Sequence, residues 1–145
     1  MGEVIRAAAI AGVVSGAPST AHALLRRGDP LEASLAAGTL LLASETRRGR
    51  LLLAGAVVHA GLCLGWAGIL AAVLPRRRAI PAAAAAGLAI AGLDLGIVGR
   101  RLPRIRALPI IPQVADHVAF AVTVAAVLRP ATGGSRAPRR TRRRC

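Results

Sequence analysis

Apolar residues in this chain come in long runs separated by short arginine-rich punctuation. They do not alternate as in a half-buried strand, nor keep to the narrow stripe of a surface helix. The strongest run, residues 51–74, is 24 positions without a formal charge, flanked by Arg47, Arg48 and Arg50 before it and Arg76, Arg77 and Arg78 after it. About 20 apolar residues cross the hydrocarbon of a bilayer, so this run predicts a spanning helix. Residues 79–99 predict a second, alanine-rich and interrupted by Asp94. Residues 113–128 predict the last, with Pro112 near its first position. The first run, residues 4–25, carries Pro18 inside it, where a kink is expected. A rival reading of that run is a signal peptide with Ala21-His22-Ala23 as the cleavage site.

Residues 30–44 form a fifth apolar segment. Asp29 before Pro30, with Glu32 three positions after Asp29, is a capping-box pattern that starts a helix. About 15 residues at 1.5 Å rise reach only about 23 Å, so this helix is a short span, a re-entrant segment or an interfacial helix. The predicted class is an all-α transmembrane bundle: four spans, this short helix, a membrane domain over residues 1–128 and a disordered arginine-rich tail over 129–145. No internal repeat is visible.

Composition supports the same class. Hydrophobic side chains make up 54% before the 16 glycines are counted, against roughly 45–50% with glycine included in a soluble domain. Trp66 and Phe120 are the only aromatic residues, too few large rings for a soluble core of this size. The high apolar content also excludes general disorder.

The net charge of +14 comes from 20 basic residues, all arginine, against six acids. Most arginines bracket apolar runs or fall in the tail. Without aromatic stacking platforms, nucleic acid is disfavoured as a partner. Contact with anionic lipid headgroups is favoured instead, through Arg76, Arg77, Arg78 and the tail residues Arg139, Arg140, Arg142, Arg143 and Arg144. With five spans the arginines divide eight and twelve between the two sides; with four, eleven and nine. Either count puts the C-terminus in the cytoplasm by the positive-inside rule, and the expected location is the plasma membrane.

The polar residues in the apolar runs are the candidates for chemistry. Asp94 lies roughly 9 Å inside its helix, counted from Arg100, and His59 roughly 13 Å inside, counted from Arg50. Asp116 and His117 open the last helix. With four spans, His22 joins His59, Asp94, Asp116 and His117 in one half of the bilayer. Carboxylate and imidazole relay protons or bind transition metals, and polar groups in lipid tend to face one another. The competing structural readings are an Asp94 salt bridge to Arg100, Arg101 or other loop arginines, an Asp116 pair with Arg104 or Arg106, and one interhelical hydrogen bond for each histidine. Neither a His-Glu-x-x-His motif nor a Cys-x-x-Cys pair is present, so no metal or other cofactor is assigned. Ser19 and His22 are three apart, but Ser19 is better explained by backbone groups freed at Pro18 than as a nucleophile.

Gly61, Gly65 and Gly68 fall on one stripe of the 51–74 helix, and Gly92 with Gly96 forms a second small-residue pair. These predict close helix packing, either within the bundle or with a second copy or partner helix. Pro112-Gln113-Val114-Ala115-Asp116-His117-Val118-Ala119-Phe120, with Gly16-Ala17-Pro18-Ser19-Thr20, resembles segments of small polytopic membrane proteins to which no activity is assigned. The resemblance implies a four-helix membrane architecture and nothing chemical.

The absence of a catalytic motif predicts a non-enzymatic structural or accessory membrane protein. Its alternatives are a proton-coupled or cation transporter using the His/Asp cluster, and a metal- or cofactor-dependent membrane enzyme.

Overall fold

The computed structural model describes residues 1–129. The expected tail beyond Arg129, with its arginines at 139, 140 and 142–144, lies outside the described residues. Among the described residues the secondary structure is helical, without strands. Four helical stretches are long and apolar enough to cross a membrane: Gly2–Leu25, Arg48–Val73, Arg76–Arg101 and Ile110–Leu128.

The first stretch is stepped. Helix α1 (Gly2–Ser15) and helix α2 (Ala17–Leu25) meet at Gly16. Pro18, at the second position of α2, has no N–H to give to the preceding turn, so α2 starts afresh at this point. At the other end of α2, Arg27 takes the left-handed conformation (φ 53°). The Gly28 N–H then donates to the Ala23 carbonyl (2.8 Å) and the Arg27 N–H to the Leu24 carbonyl (3.1 Å). This is a Schellman closure with arginine where glycine usually sits.

Helix α3 is Glu32–Gly38, shorter than the sequence suggested. The expected start is half realised: Asp29 Oδ1 accepts from the Leu31 N–H (2.9 Å). Glu32 does not reach back as a capping box requires, because both its oxygens bond Arg104 (2.8 and 3.0 Å). Past Gly38 the backbone tightens into three-residue turns, Thr39 N–H to Ala36 O and Leu40 N–H to Ala37 O (both 3.1 Å). The helix therefore stops before residue 44. Seven residues rise about 10 Å, so α3 is no span, and the four-span alternative holds.

The remaining long helices are α4 (Arg48–Val73), α5 (Ala79–Leu93) and, after the four-residue α6 (Pro103–Arg106), α7 (Ile110–Leu128). Beyond α5 the chain loosens into a π turn, Asp94–Val98, and then tightens into a 3-10 turn, Gly99–Arg101. Helix α7 begins three residues earlier than expected. Pro112 fits because the first-turn amides have no intrahelical acceptor to lose.

The long helices alternate in direction. Ala7, Leu70, Ala79 and Ala125 share one buried cluster near one end of the bundle. The Ser19–Asp116 and Asp94–His117 hydrogen bonds lie toward the other end. Both ends of the described chain therefore lie at the same end of the bundle. Helix α7 is the hub, packed most extensively on α5 and α1, then on α2 and α4.

Much of the core is alanine: Ala7, Ala8, Ala11, Ala67, Ala83, Ala121 and Ala125 are buried. Residues read as a rival signal peptide thus contribute to the packed interior. Small side chains let backbones approach, and Gly87 is the tightest case between long helices. A methyl added there would lie 2.7 Å from Val118 Cα and 2.8 Å from the His117 carbonyl oxygen. On α4, Gly55 lies against the Ser34 backbone, while Gly38 of α3 lies against the Leu51 backbone.

The glycines singled out from sequence do something else. Gly61, Gly65 and Gly68 face open space, as do Gly92 and Gly96. Helical spacing identified the stripes, but it could not say which stripe faces inward. On α4 the inward residues are Cys63, Ala67 and Leu70.

Candidate functional site

The break at Gly16 creates a backbone problem inside an apolar segment. Carbonyls at the end of α1 and amides at the start of α2 lose their intrahelical partners. In hydrocarbon each such group costs several kcal/mol if left alone (roughly, by transfer data). Two side chains from other helices answer it. The Ser19 N–H, in the first turn of α2, donates to Asp116 Oδ1 of α7 (3.0 Å). The Gly12 carbonyl, one turn before the break, accepts from His59 Nε2 of α4 (2.9 Å). Ser15 and Ser19 complete the repair, their hydroxyls donating to the carbonyls of Gly12 and Gly16 (both 3.3 Å). Asp116 and His59 thus cap the broken helix from outside it.

The second polar contact joins α5 to α7. His117 Nδ1 lies 2.7 Å from the Gln113 carbonyl oxygen, and Nε2 lies 3.2 Å from Asp94 Oδ2. A carbonyl has no proton to give, so Nδ1 carries one and donates it. One further proton lies between Nε2 and the carboxyl oxygen, either as imidazolium with carboxylate or as imidazole with carboxylic acid. Asp94 is the first residue of the π turn, where the regular hydrogen-bond ladder of α5 ends.

The five expected residues therefore fall into separate contacts rather than one centre. His117 meets Asp94, Asp116 meets α2, and His59 meets α1, with Cys63 Sγ 3.6 Å from its Nε2. His22 joins none of these and lines a cavity instead. Among the described residues no three His, Cys, Asp or Glu side chains converge as metal ligands would. Neither acid pairs with a loop arginine: Arg104 is taken by Glu32, and Asp94 by His117.

The loop ion pairs were not anticipated. Besides Glu32–Arg104, Asp29 binds both guanidinium nitrogens of Arg48, one of them at 3.0 Å, and Glu45 binds Arg50 at 3.1 Å. The Arg48 guanidinium and the Leu31 N–H hold the Asp29 carboxyl below the usual carboxylate range. The Arg47 N–H, assisted by Arg50, does the same for Glu45. Their partners are far apart in sequence or across a turn, so spacing gave no signal.

Two cavities open at the ends of the bundle. One, about 1150 Å³, lies where the chain ends gather and is lined in part by Glu3, Leu70, Arg76 and Arg129. The other, about 530 Å³, lies at the opposite end among α2, the α3 start, α6 and the first turn of α7.

Compared with known protein families, characterised proteins and solved structures, the chain matches none of them.

Proposed function

We propose that this chain is a small integral membrane protein with a structural or accessory role and no enzymatic activity. One observation carries the reading: Asp94, Asp116, His59 and His117, four of the five polar residues singled out in the long apolar helices, are committed to holding helices together. Asp116 and His59 satisfy backbone groups at a helix break, and Asp94 and His117 satisfy each other. Groups committed in this way offer no common point at which a substrate or ion would meet several of them.

The proposed orientation places both termini in the cytoplasm of a cell bounded by this membrane. Counted along the sequence with four spans, eleven arginines would fall on the side of the termini, six of them beyond the described residues, and nine on the other. Three of those nine, Arg48, Arg50 and Arg104, are paired with acids. The positive-inside rule favours the richer side as cytoplasmic. Arg76, Arg77 and Arg78 would meet anionic headgroups there. The outward stripe of Gly61, Gly65 and Gly68 is available to a second copy or a partner helix.

The test is reconstitution into sealed liposomes loaded with ion- and pH-sensitive dyes. The expected result is flux equal to that of protein-free liposomes. Protein-dependent flux would overturn the structural reading and favour a second one, proton-coupled or cation transport. The Asp94–His117 proton, held at a π turn, is the observation that favours it. That reading requires Asp94→Asn and His117→Ala to abolish the flux.

A further inference from the structure

The 530 Å³ cavity has one wall made by a single face of α2 and its C-cap. Ser19, His22, Ala23 and Arg26 line it at the i, i+3, i+4, i+7 spacing of one helical face. Gln113 of α7 faces the same space, and Ala33 and Leu108 supply apolar wall.

Charges around the cavity are unequally committed. Asp29 is bonded to Arg48, and Glu32 to Arg104, so these four largely cancel. The Arg26 guanidinium, the His22 ring and the Gln113 side-chain amide line the cavity with no hydrogen-bond partner among the described residues. The lining thus holds one uncommitted arginine, two further uncommitted hydrogen-bonding groups and apolar walls. The surroundings push the same way: this end of the bundle carries nine arginines against Asp29, Glu32 and Glu45. The α7 N-terminus beside the cavity has no side-chain cap, so its dipole adds positive potential.

We propose that this cavity is a binding site for an anionic phospholipid of the adjacent leaflet, with Arg26 and His22 taking the phosphate. The inference rests on the membrane-spanning reading above. The cavity lies where the apolar α2 gives way to Arg26 and Arg27, the level at which a headgroup sits. A free phosphate ester would leave the apolar wall bare. A zwitterionic lipid would bring a quaternary ammonium into a field dominated by arginine. An anionic phospholipid satisfies the cation and covers the apolar wall together.

The experiment uses the full chain in detergent, titrated with phosphatidylglycerol or phosphatidylcholine and read by native mass spectrometry. The wild type is expected to retain one phosphatidylglycerol about tenfold more strongly than phosphatidylcholine. Arg26→Gln should lose about tenfold in that retention, the equivalent of one charge-assisted hydrogen bond. Ala23→Phe should lose as much by filling the cavity with every charge kept. Arg106→Gln, an exposed arginine outside the cavity, should leave retention unchanged. Helix content by circular dichroism identifies any variant that fails to fold, and His22→Gln then serves in its place.

Equal retention of the two lipids would overturn the proposal. So would equal effects of Arg26→Gln and Arg106→Gln, or displacement of the lipid by glycerol phosphate at matched concentration. Alkaline carbonate extraction of native membranes separates the two claims. A chain released by carbonate defeats the membrane reading and this site with it. A chain retained by carbonate but without lipid selectivity defeats the site alone.

Discussion

Replacing Gly87 by alanine puts a methyl group where α5 and α7 are closest. The new carbon would lie 2.7 Å from Val118 Cα, 2.8 Å from the His117 carbonyl oxygen and 3.1 Å from the Val118 nitrogen. All three are backbone atoms of a helix, so no side-chain rotation relieves the contact. Carbon atoms rest about 3.5–4.0 Å apart, so the helices must separate locally by about 0.8–1.3 Å. Overpacking of this kind costs about 1–3 kcal/mol. The same separation would stretch the 3.2 Å contact between Asp94 and His117 to about 4–4.5 Å, beyond hydrogen-bond range. Losing that contact adds about 1 kcal/mol, for a total of about 2–4 kcal/mol. The assay is reversible unfolding in mixed micelles, followed by the fluorescence of Trp66, which packs against the buried cluster. Gly65→Ala is the control, because a methyl there meets nothing within 4 Å. It should cause no loss and a small gain from helix propensity. If Gly87→Ala unfolds at the wild-type midpoint, or if Gly65→Ala loses as much, the assignment of inner and outer glycines is wrong.

Other positions give equally definite expectations. Arg27→Gly relieves a left-handed residue at the end of α2 and should raise stability by about 0.5 kcal/mol after the larger unfolded-chain entropy of glycine is deducted, whereas Arg27→Val should lower it by about 1 kcal/mol or more. Denaturation midpoints of the two variants decide this. The Asp29 carboxyl is held below its ordinary value by Arg48 and the Leu31 N–H, so its contribution is complete above about pH 4 and is lost as pH falls through the lowered folded-state value. The stability difference between wild type and Asp29→Asn should therefore be constant near neutrality and vanish in strong acid; a difference that disappeared between pH 5 and 7 would contradict the pairing. His59→Leu strips a donor from the Gly12 carbonyl and should cost about 1–3 kcal/mol in the same unfolding assay, while His59→Gln, which keeps an N–H donor, should recover part of it.

The number of long helices was legible because a 20-residue apolar run bracketed by arginines has little choice. The polar residues of the spans were also identifiable, since each stands out from an otherwise apolar run. Their partners were not. Asp116 finds a backbone amide rather than an arginine, because the break at Gly16 leaves that amide unbonded in a place where water is scarce. Pro18 was the visible signal for this. A kink inside a span implies orphaned backbone groups, and the nearest acid and histidine were candidates to serve them. The glycine stripes left open which way they face, and the structure turns them away from the bundle interior. Alanine packs nearly as closely as glycine, so in a chain this rich in alanine the inward face of α4 needs no glycine along the 61–68 stripe. The end of α3 was equally hidden, since its close approach to α4 is a tertiary contact that no local propensity encodes.

Asp116 of α7 caps a helix to which it does not belong. Hydrogen exchange of the Ser19 amide, followed by NMR in detergent micelles, reads that contact directly. In the wild type the amide should be protected, and Asp116→Ala should speed its exchange by about tenfold or more, the equivalent of about 1.4 kcal/mol for the lost hydrogen bond. Amides in the middle of α4 should be unaffected. A Ser19 amide that exchanges at the same rate with and without the Asp116 carboxyl would contradict the claim that the Asp116 carboxylate is spent on holding the broken helix to the bundle.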